Sequence, residues 1–175
     1  MKIKKIESFY IVNNIKDHKK IKNKFLNYLD KMPNLNENNP DDKIFKTDWR
    51  DSKNLNRIYI KEFYELMSPY MDRMMNFLKT KEWMIHNCWF QQYQKNDIHN
   101  WHTHAICNYG NVYYLELENK NEATQFLNLN NNKIISIDIK EGDLLTFPAN
   151  FLHRSKKIKN KNYKKTIISF NSSFH

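Results

Sequence analysis

From Trp83 onward the chain changes period, and this limits its possible folds more than any other feature. "MIHNCWFQQYQ", "NVYYLELE", "ATQFLNLN", "KIISIDIK", "DLLTFP" and "TIISFNSS" are short runs rich in β-branched and aromatic residues, several of them alternating apolar with polar. Short polar pieces separate them: "KNDIHN", "NKNE", "NNN", "KEG" and "KNKNYKK". A period of two sends successive side chains to opposite faces of a sheet. Six or more such strands in about 90 residues predict a sandwich or barrel rather than alternating β and α units. With 2 Gly in the whole chain, the turns are expected to use Asn in left-handed positions, which it tolerates better than other non-glycine residues.

The residues before Trp83 read differently. Residues 5–14, "KIESFYIVNN", can supply an opening strand. "DHKKIKNKFLNYLDKM" places Ile21, Phe25, Leu26 and Leu29 on one helical face, with Asp17 as the expected N-cap. The Asn- and Pro-rich "PNLNENNPDD" is expected to be a surface loop. Residues 52–81 are strongly helical in pattern, with Ile58, Ile60, Phe63, Leu66 and Met67 in one stripe. Tyr70, Met71, Met74, Met75, Phe77 and Leu78 continue it beyond Ser68-Pro69, which reads as an N-cap and first-turn proline between two helices or at a kink. The methionines read as adaptable core filler. The expectation is thus one domain over residues 1–175: a mostly helical support in residues 1–82 and a β core in residues 83–175.

Composition narrows the function classes. At 40% hydrophobic and 14% aromatic the chain can fold. A formal net charge of +10 biases the surface toward anions, either small carboxylates, phosphates or nucleic acid, although Lys and Asn are also its ordinary solvent-facing residues. No apolar run reaches the ~20 residues of a membrane helix, and "MKIKKIESFYIVNN" has the charged start of a signal peptide without its apolar core. A soluble, cytoplasmic protein is expected. Cys88 and Cys107 are too few and too irregular for a disulfide framework or a zinc knuckle.

Histidines carry the chemical signal. His99, His102 and His104 cluster in "IHNWHTHA", and His153 lies in "EGDLLTFPANFLHRS"; His18 and His175 sit in polar end segments and point to nothing. Residues i and i+2 of a strand share a face, so His102 and His104 can converge, and an imidazole from a facing strand could complete one face of an octahedron. Around His153, Gly142 and Asp143 are expected to make a corner, residues 144–147 to run inward, and Pro148 to end the pairing.

"WFQQYQKNDIHNWHTHAICNYGNVYYLEL", "EGDLLTFPANFLHRS" and "KTIISFN" occur in an order and spacing that resemble the 2-oxoglutarate- and Fe(II)-dependent oxygenases. The likeness is to a small H-x-H-bearing group of marine bacteria and phages, and "TDWRDS" at residues 47–52 resembles a segment near that group's start. It spans residues 47–171 and implies a mainly β (α+β) protein with a double-stranded β-helix, or jelly-roll, core, with a phage or viral origin among the expectations. It also implies Fe(II) held by His102 and His153, with His104 where most such oxygenases carry Asp; Asp97 is the nearest carboxylate that could replace it. Three neutral imidazoles leave Fe(II) at +2, which favours a dianionic cosubstrate.

The resemblance further implies that Lys165 pairs with the distal carboxylate of 2-oxoglutarate, where the family has Arg, with Arg154 and Lys164 as helpers. Gln91, Tyr93, either Tyr113 or Tyr114, and Asn171 are candidate polar contacts to the cosubstrate or to the iron-bound water; Trp89 and Trp101 are expected to pack at core or rim. The implied reaction converts 2-oxoglutarate to succinate and CO2 while hydroxylating a C–H bond, with ascorbate as a supporting reductant. The substrate is left open among small molecule, protein and nucleic acid.

Two rival readings use the same residues. A cupin-like three-His dioxygenase without 2-oxoglutarate fits "GDLLTFPANFLH" except at Asn150, where Gly is usual, but lacks a Glu shortly after H-x-H, where Cys107, Asn108 and Tyr109 stand. A non-catalytic basic jelly-roll module would bind nucleic acid in a salt-dependent way and survive loss of His102 or His153. A nucleic-acid demethylase on the iron scaffold would need a base-flipping pocket that no motif marks.

Overall fold

The structure is a computed structural model that describes residues 7–36, 42–159 and 164–175. In chain order its elements are β1 (Ile11–Asn14), α1 (His18–Lys31), β2 (Lys46–Thr47), a 3-10 turn (Trp49–Asp51) and α2 (Ile60–Leu78). There follow β3 (Trp83–Tyr93), β4 (His99–His102), β5 (Tyr109–Leu117), a second 3-10 turn (Lys120–Glu122), β6 (Gln125–Asn128), β7 (Lys133–Ser136), β8 (Asp143–Pro148), β9 (His153–Ser155) and β10 (Lys165–Phe174). Among the described residues ten strands form two antiparallel sheets, of order β1-β8-β5-β10-β3-β2 and β4-β9-β6-β7. This is a jelly-roll sandwich with both helices packed outside the larger sheet.

Alternation along the central strands builds two cores at once. On the helix side lie Cys88 and Phe90 of β3, Tyr113 and Leu115 of β5, Leu144 of β8, and Ile168 and Phe170 of β10, packed against Phe25, Leu29, Phe63, Met67 and Met71. Toward the smaller sheet lie Tyr93, Val112, Tyr114, Leu145, Phe147 and Ile167, packed against Phe126, Ile137 and Ile139. Every residue of β10 is buried for this reason. The near-continuous apolar runs "DLLTF" and "TIISF" belong to strands covered on both faces.

Several local expectations change. Ser68-Pro69 does not break the helix: α2 runs unbroken from Ile60 to Leu78 with Pro69 inside. An internal proline costs about 3 kcal/mol. Phe63, Met67, Met71 and Met74 on the buried face each contribute roughly 1.5–3 kcal/mol, so tertiary packing outweighs the breaker. The stripe is shorter than its sequence pattern, since Ile58 is 51% and Phe77 62% exposed. Asp17 occupies the N-cap position of α1 but caps no N–H; its carboxylate pairs with Lys20 instead.

Asn takes fewer left-handed positions than expected. Among the described residues Asn96 and Asn132 have positive φ, alongside Lys79, Ile106 and Gly142. The other loop asparagines turn the chain with their side chains, as Asn119 Oδ1 accepts from Asn121 N, Asn128 Oδ1 from Asn130 N and Asn131 Oδ1 from Lys133 N. Residues 5–6, most of "NENNPD" and the tip of "KNKNYKK" lie outside the described residues. No helix among the described residues is long and apolar enough to cross a membrane.

Candidate metal centre

Two strands absent from the sequence pattern form the site. β4 and β9 are short and lie in the smaller sheet, with His102 directly opposite His153. That register sets their rings side by side, with centroids 4.1 Å apart. His104 arrives by another route than strand alternation, because β4 ends at His102. Its backbone N–H donates to Ala149 O at 2.9 Å, and its Nε2 lies 3.1 Å from His153 Nε2. Gly110 makes room for it: a Cβ there would sit 3.0 Å from the Phe147 ring and 3.2 Å from His104 Cδ2.

The three imidazoles offer ligand nitrogens within 4.8 Å of one another. His102 Nδ1 donates to Asn100 O at 2.7 Å and His153 Nδ1 to Phe151 O at 2.8 Å. Those bonds fix the tautomer, leaving each Nε2 as an unprotonated donor atom. Two nitrogens bound to one ion at about 2.1 Å and at right angles stand about 3.0 Å apart, close to the separation of His104 and His153. The residues therefore fit a divalent metal with imidazole ligands on one face and open positions elsewhere.

Electrostatics keep these imidazoles neutral. Burial, followed by the neighbouring imidazoles, pushes His104 down to about 4 and holds His153 and His99 well below the usual histidine range. His102 is lowered as well, by burial, with Asn100 O and Asp42 opposing. His99 stands outside the converging trio: its ring stacks on His102 at 3.9 Å, while Nε2 lies 3.5 Å from Asp42 and Nδ1 3.4 Å from Gln91 Nε2. It braces the His102 ring from behind.

The other expected residues divide between places. Lys165 is fully buried on the inner side, its Nζ donating to Ser155 Oγ at 2.7 Å and Glu122 O at 2.9 Å and lying over the Tyr93 ring. Burial pushes this ammonium down to about 7, against the pull of Glu122. Tyr93 and Gln91 also face inward; the Tyr93 hydroxyl sits beside Ser155 without a well-formed hydrogen bond. Gln91, Tyr93, Ser155, Ser169 and the three imidazoles line one narrow cleft of about 30 Å³. Asn171 lines a second, larger cavity beside the histidines.

Tyr113, Lys164 and Asp97 do not join this group, and Arg154 lines the cleft with its charged end engaged elsewhere. Of the adjacent tyrosines Tyr114 faces inward, where its hydroxyl bonds Thr124, whereas Tyr113 points to the helices and bonds His18 Nδ1 at 2.7 Å. Strand alternation separates Arg154 from His153 and Ser155; its guanidinium stacks on Trp101 and bonds Gln125 Oε1. Lys164 is exposed, its backbone N–H donating to Glu118. Asp97 closes its own turn, accepting from Gln94 N at 2.9 Å.

Sequence reading also missed partners. His18 is no idle end residue: it is buried between Tyr113 and Glu141, where its ring fills the space a side chain at Gly142 would need. "TDWRDS" is held by a buried network in which Asp48 accepts from Arg57, from Tyr59 OH at 2.8 Å and from Phe90 N at 2.8 Å, while Arg57 donates to Cys88 O. This staple seats Trp49 edge-on against Trp89 at 4.5 Å, at the wall of the larger cavity. Ser155, two residues after His153, gave no signal of its own.

No family model and no curated protein matches this sequence. Solved structures do match its fold. A 2OG-Fe(II) oxygenase family oxidoreductase from Burkholderia pseudomallei superposes with a TM-score of 0.68 at 11% identity, over 95% of this chain and 84% of that one. HygX from Streptomyces hygroscopicus, with nickel and 2-oxoglutarate bound, gives 0.70 at 8% identity over 95% and 83%. The viral collagen prolyl hydroxylase of Paramecium Bursaria Chlorella virus-1, as its 2OG complex, gives 0.65 at 10% identity over 93% and 94%. At such identities the likeness is one of fold, and the jelly-roll expectation holds.

Proposed function

We propose that this chain is an Fe(II)- and 2-oxoglutarate-dependent oxygenase that hydroxylates its substrate. The observation that carries the reading is the convergence of His102, His104 and His153, with the tautomers of His102 and His153 fixed, in a jelly roll whose solved likenesses include structures with 2-oxoglutarate bound. The three Nε2 atoms would hold the ferrous ion. With 2-oxoglutarate and O2 it supplies the oxidation, yielding succinate, CO2 and a hydroxyl group on the substrate.

The chain's own residues account for the cosubstrate. His153 and Ser155 share one face of β9, roughly 7 Å apart along the strand. Lys165 bonds Ser155, so a buried cation lies about one five-carbon dicarboxylate beyond the imidazoles. We assign the distal carboxylate to Lys165 and Ser155, with the Tyr93 hydroxyl as a third donor, and Gln91 to the metal end. The cleft takes this molecule only with side-chain movement, since it measures about 30 Å³. A dianion there restores the Lys165 ammonium that burial disfavours, so binding takes up a proton at neutral pH and above. Buried Lys165 also speaks against a three-His dioxygenase without 2-oxoglutarate, which would leave this cation unused.

The test is succinate release from purified protein given Fe(II), ascorbate, 2-oxoglutarate and O2. We expect slow turnover even without substrate, lost on His102→Ala or His153→Ala. Iron-dependent oxygen uptake that ignores 2-oxoglutarate would favour the cupin-like reading. Salt-sensitive DNA or RNA binding untouched by either variant would favour the binding module.

A further inference from the structure

The larger cavity beside the histidines, of about 420 Å³, is of the size that takes small ligands. Its lining contradicts the charge of the chain. Among the described residues that line it there is no lysine or arginine, although the whole sequence carries +10. Its one carboxylate is Asp42, which accepts from Asn100 N and lies against His99.

Asn87 and Trp89 face it from β3, and Asn171 faces it from β10 directly opposite Asn87. Three atoms here are buried without a hydrogen-bond partner: Asn87 Oδ1, Asn171 Oδ1 and Trp89 Nε1. Each such group costs free energy unless something completes it. The two amide oxygens call for N–H donors, and the neighbouring carboxylate favours charged ones. The indole N–H calls for one acceptor, and Trp49 and Trp89 supply aromatic surface that attracts cations.

We propose that this cavity is the substrate site and that it selects a cationic amine bearing a neighbouring hydroxyl or carbonyl oxygen, not a carboxylate or phosphate. The ammonium is read by Asn87, Asn171 and the Asp42 field, and the oxygen by Trp89 Nε1. As a statement about substrate it rests on the oxygenase reading; as a statement about binding it does not.

The test follows the four tryptophan indole N–H resonances of the full chain, loaded with Zn(II) under nitrogen, with Trp49 and Trp89 assigned by Trp→Phe variants. Three matched probes are titrated: threoninamide (cation), N-acetylthreoninamide (neutral) and N-acetylthreonine (anion). We expect threoninamide to shift the Trp89 and Trp49 signals and to bind at least about tenfold more tightly than the anion. Asn171→Asp should tighten threoninamide about fivefold and Asn171→Leu weaken it by a similar factor, the remaining amide spectrum reporting that both fold.

Equal or better binding of the anion overturns the proposal. So does a weakening by Asn171→Asp in a folded protein, or the absence of any indole shift at about 50 mM threoninamide, since binding that weak carries no selectivity. Succinate release is measured in parallel. If that fails while the probe order holds, the oxygenase reading falls and the cavity assignment stands; if it succeeds while the anion wins, only this inference falls.

Discussion

The two faces of the β5-β10-β3 sheet are built to different standards. The helix side is packed with Phe25, Phe63, Met67, Tyr113 and Phe170. The inner side carries four of the seven buried side-chain atoms without partners found among the described residues: Asn87 Oδ1, Trp89 Nε1, Tyr93 OH and Asn171 Oδ1. All four belong to residues lining one or other of two cavities that share His102 and His104. One face supplies stability, and the other gives up some of it by leaving buried polar groups uncompleted.

The sharpest way to break this comparison is to exchange what each face loses. His153→Ala should abolish iron retention and succinate release while leaving the apo protein as stable as wild type or more so, read by metal analysis and thermal unfolding. Phe63→Ala should do the reverse. It removes a fully buried ring and should cost about 3–5 kcal/mol in denaturant unfolding, with iron binding by the folded fraction unchanged. If the histidine variant unfolds and the phenylalanine variant loses metal, the division between faces is wrong.

Lys165→Met probes the boundary. Its folded pKa is depressed, from 10.5 to about 7, so between those values the unfolded chain binds the extra proton and stability rises with pH. The methionine variant should lose that rise and be more stable than wild type at pH 7, yet bind 2-oxoglutarate at least about tenfold more weakly. In wild type the affinity should decline as pH climbs above 7. A pH-independent affinity would remove Lys165 from the cosubstrate site.

Acid acts on the other side of neutrality. Because His99, His102, His104 and His153 are all lowered, metal-free protein keeps their full contribution above about pH 6.5 and loses it as pH falls below that, His104 through about 4, by up to about 1.4 kcal/mol per pH unit for each proton the unfolded chain binds in excess. Thermal unfolding of chelated protein should show that slope, and His104→Gln should reduce it. Gly110→Ala gives the smallest effect: the added methyl presses on the flexible edges of Phe147 and His104, weakening iron binding severalfold with little change in unfolding.

What could be read from the sequence follows the same division. Long alternating strands announced themselves because burial on two faces forces apolar choices at most positions, and His102, His104 and His153 stood out as rare residue types in a tight pattern. β4 and β9 did not, being four and three residues whose composition is set by chemistry rather than packing. The cohelical run through Pro69 was hidden because tertiary contacts decide it. Nor does any local pattern foretell that Asp48 and Arg57 meet, that Tyr113 turns its hydroxyl to His18, or that the walls beside the histidines carry no cation in a chain of +10. Those depend on which residues the topology brings together.

The most direct measurement is a crystal structure grown without oxygen in Fe(II) and 2-oxoglutarate. The account predicts one iron about 2.1 Å from Nε2 of His102, His104 and His153, with the cosubstrate's far carboxylate on Lys165. An ion bound elsewhere, or held by Asp42 or Asp97 with His104 turned away, would contradict it.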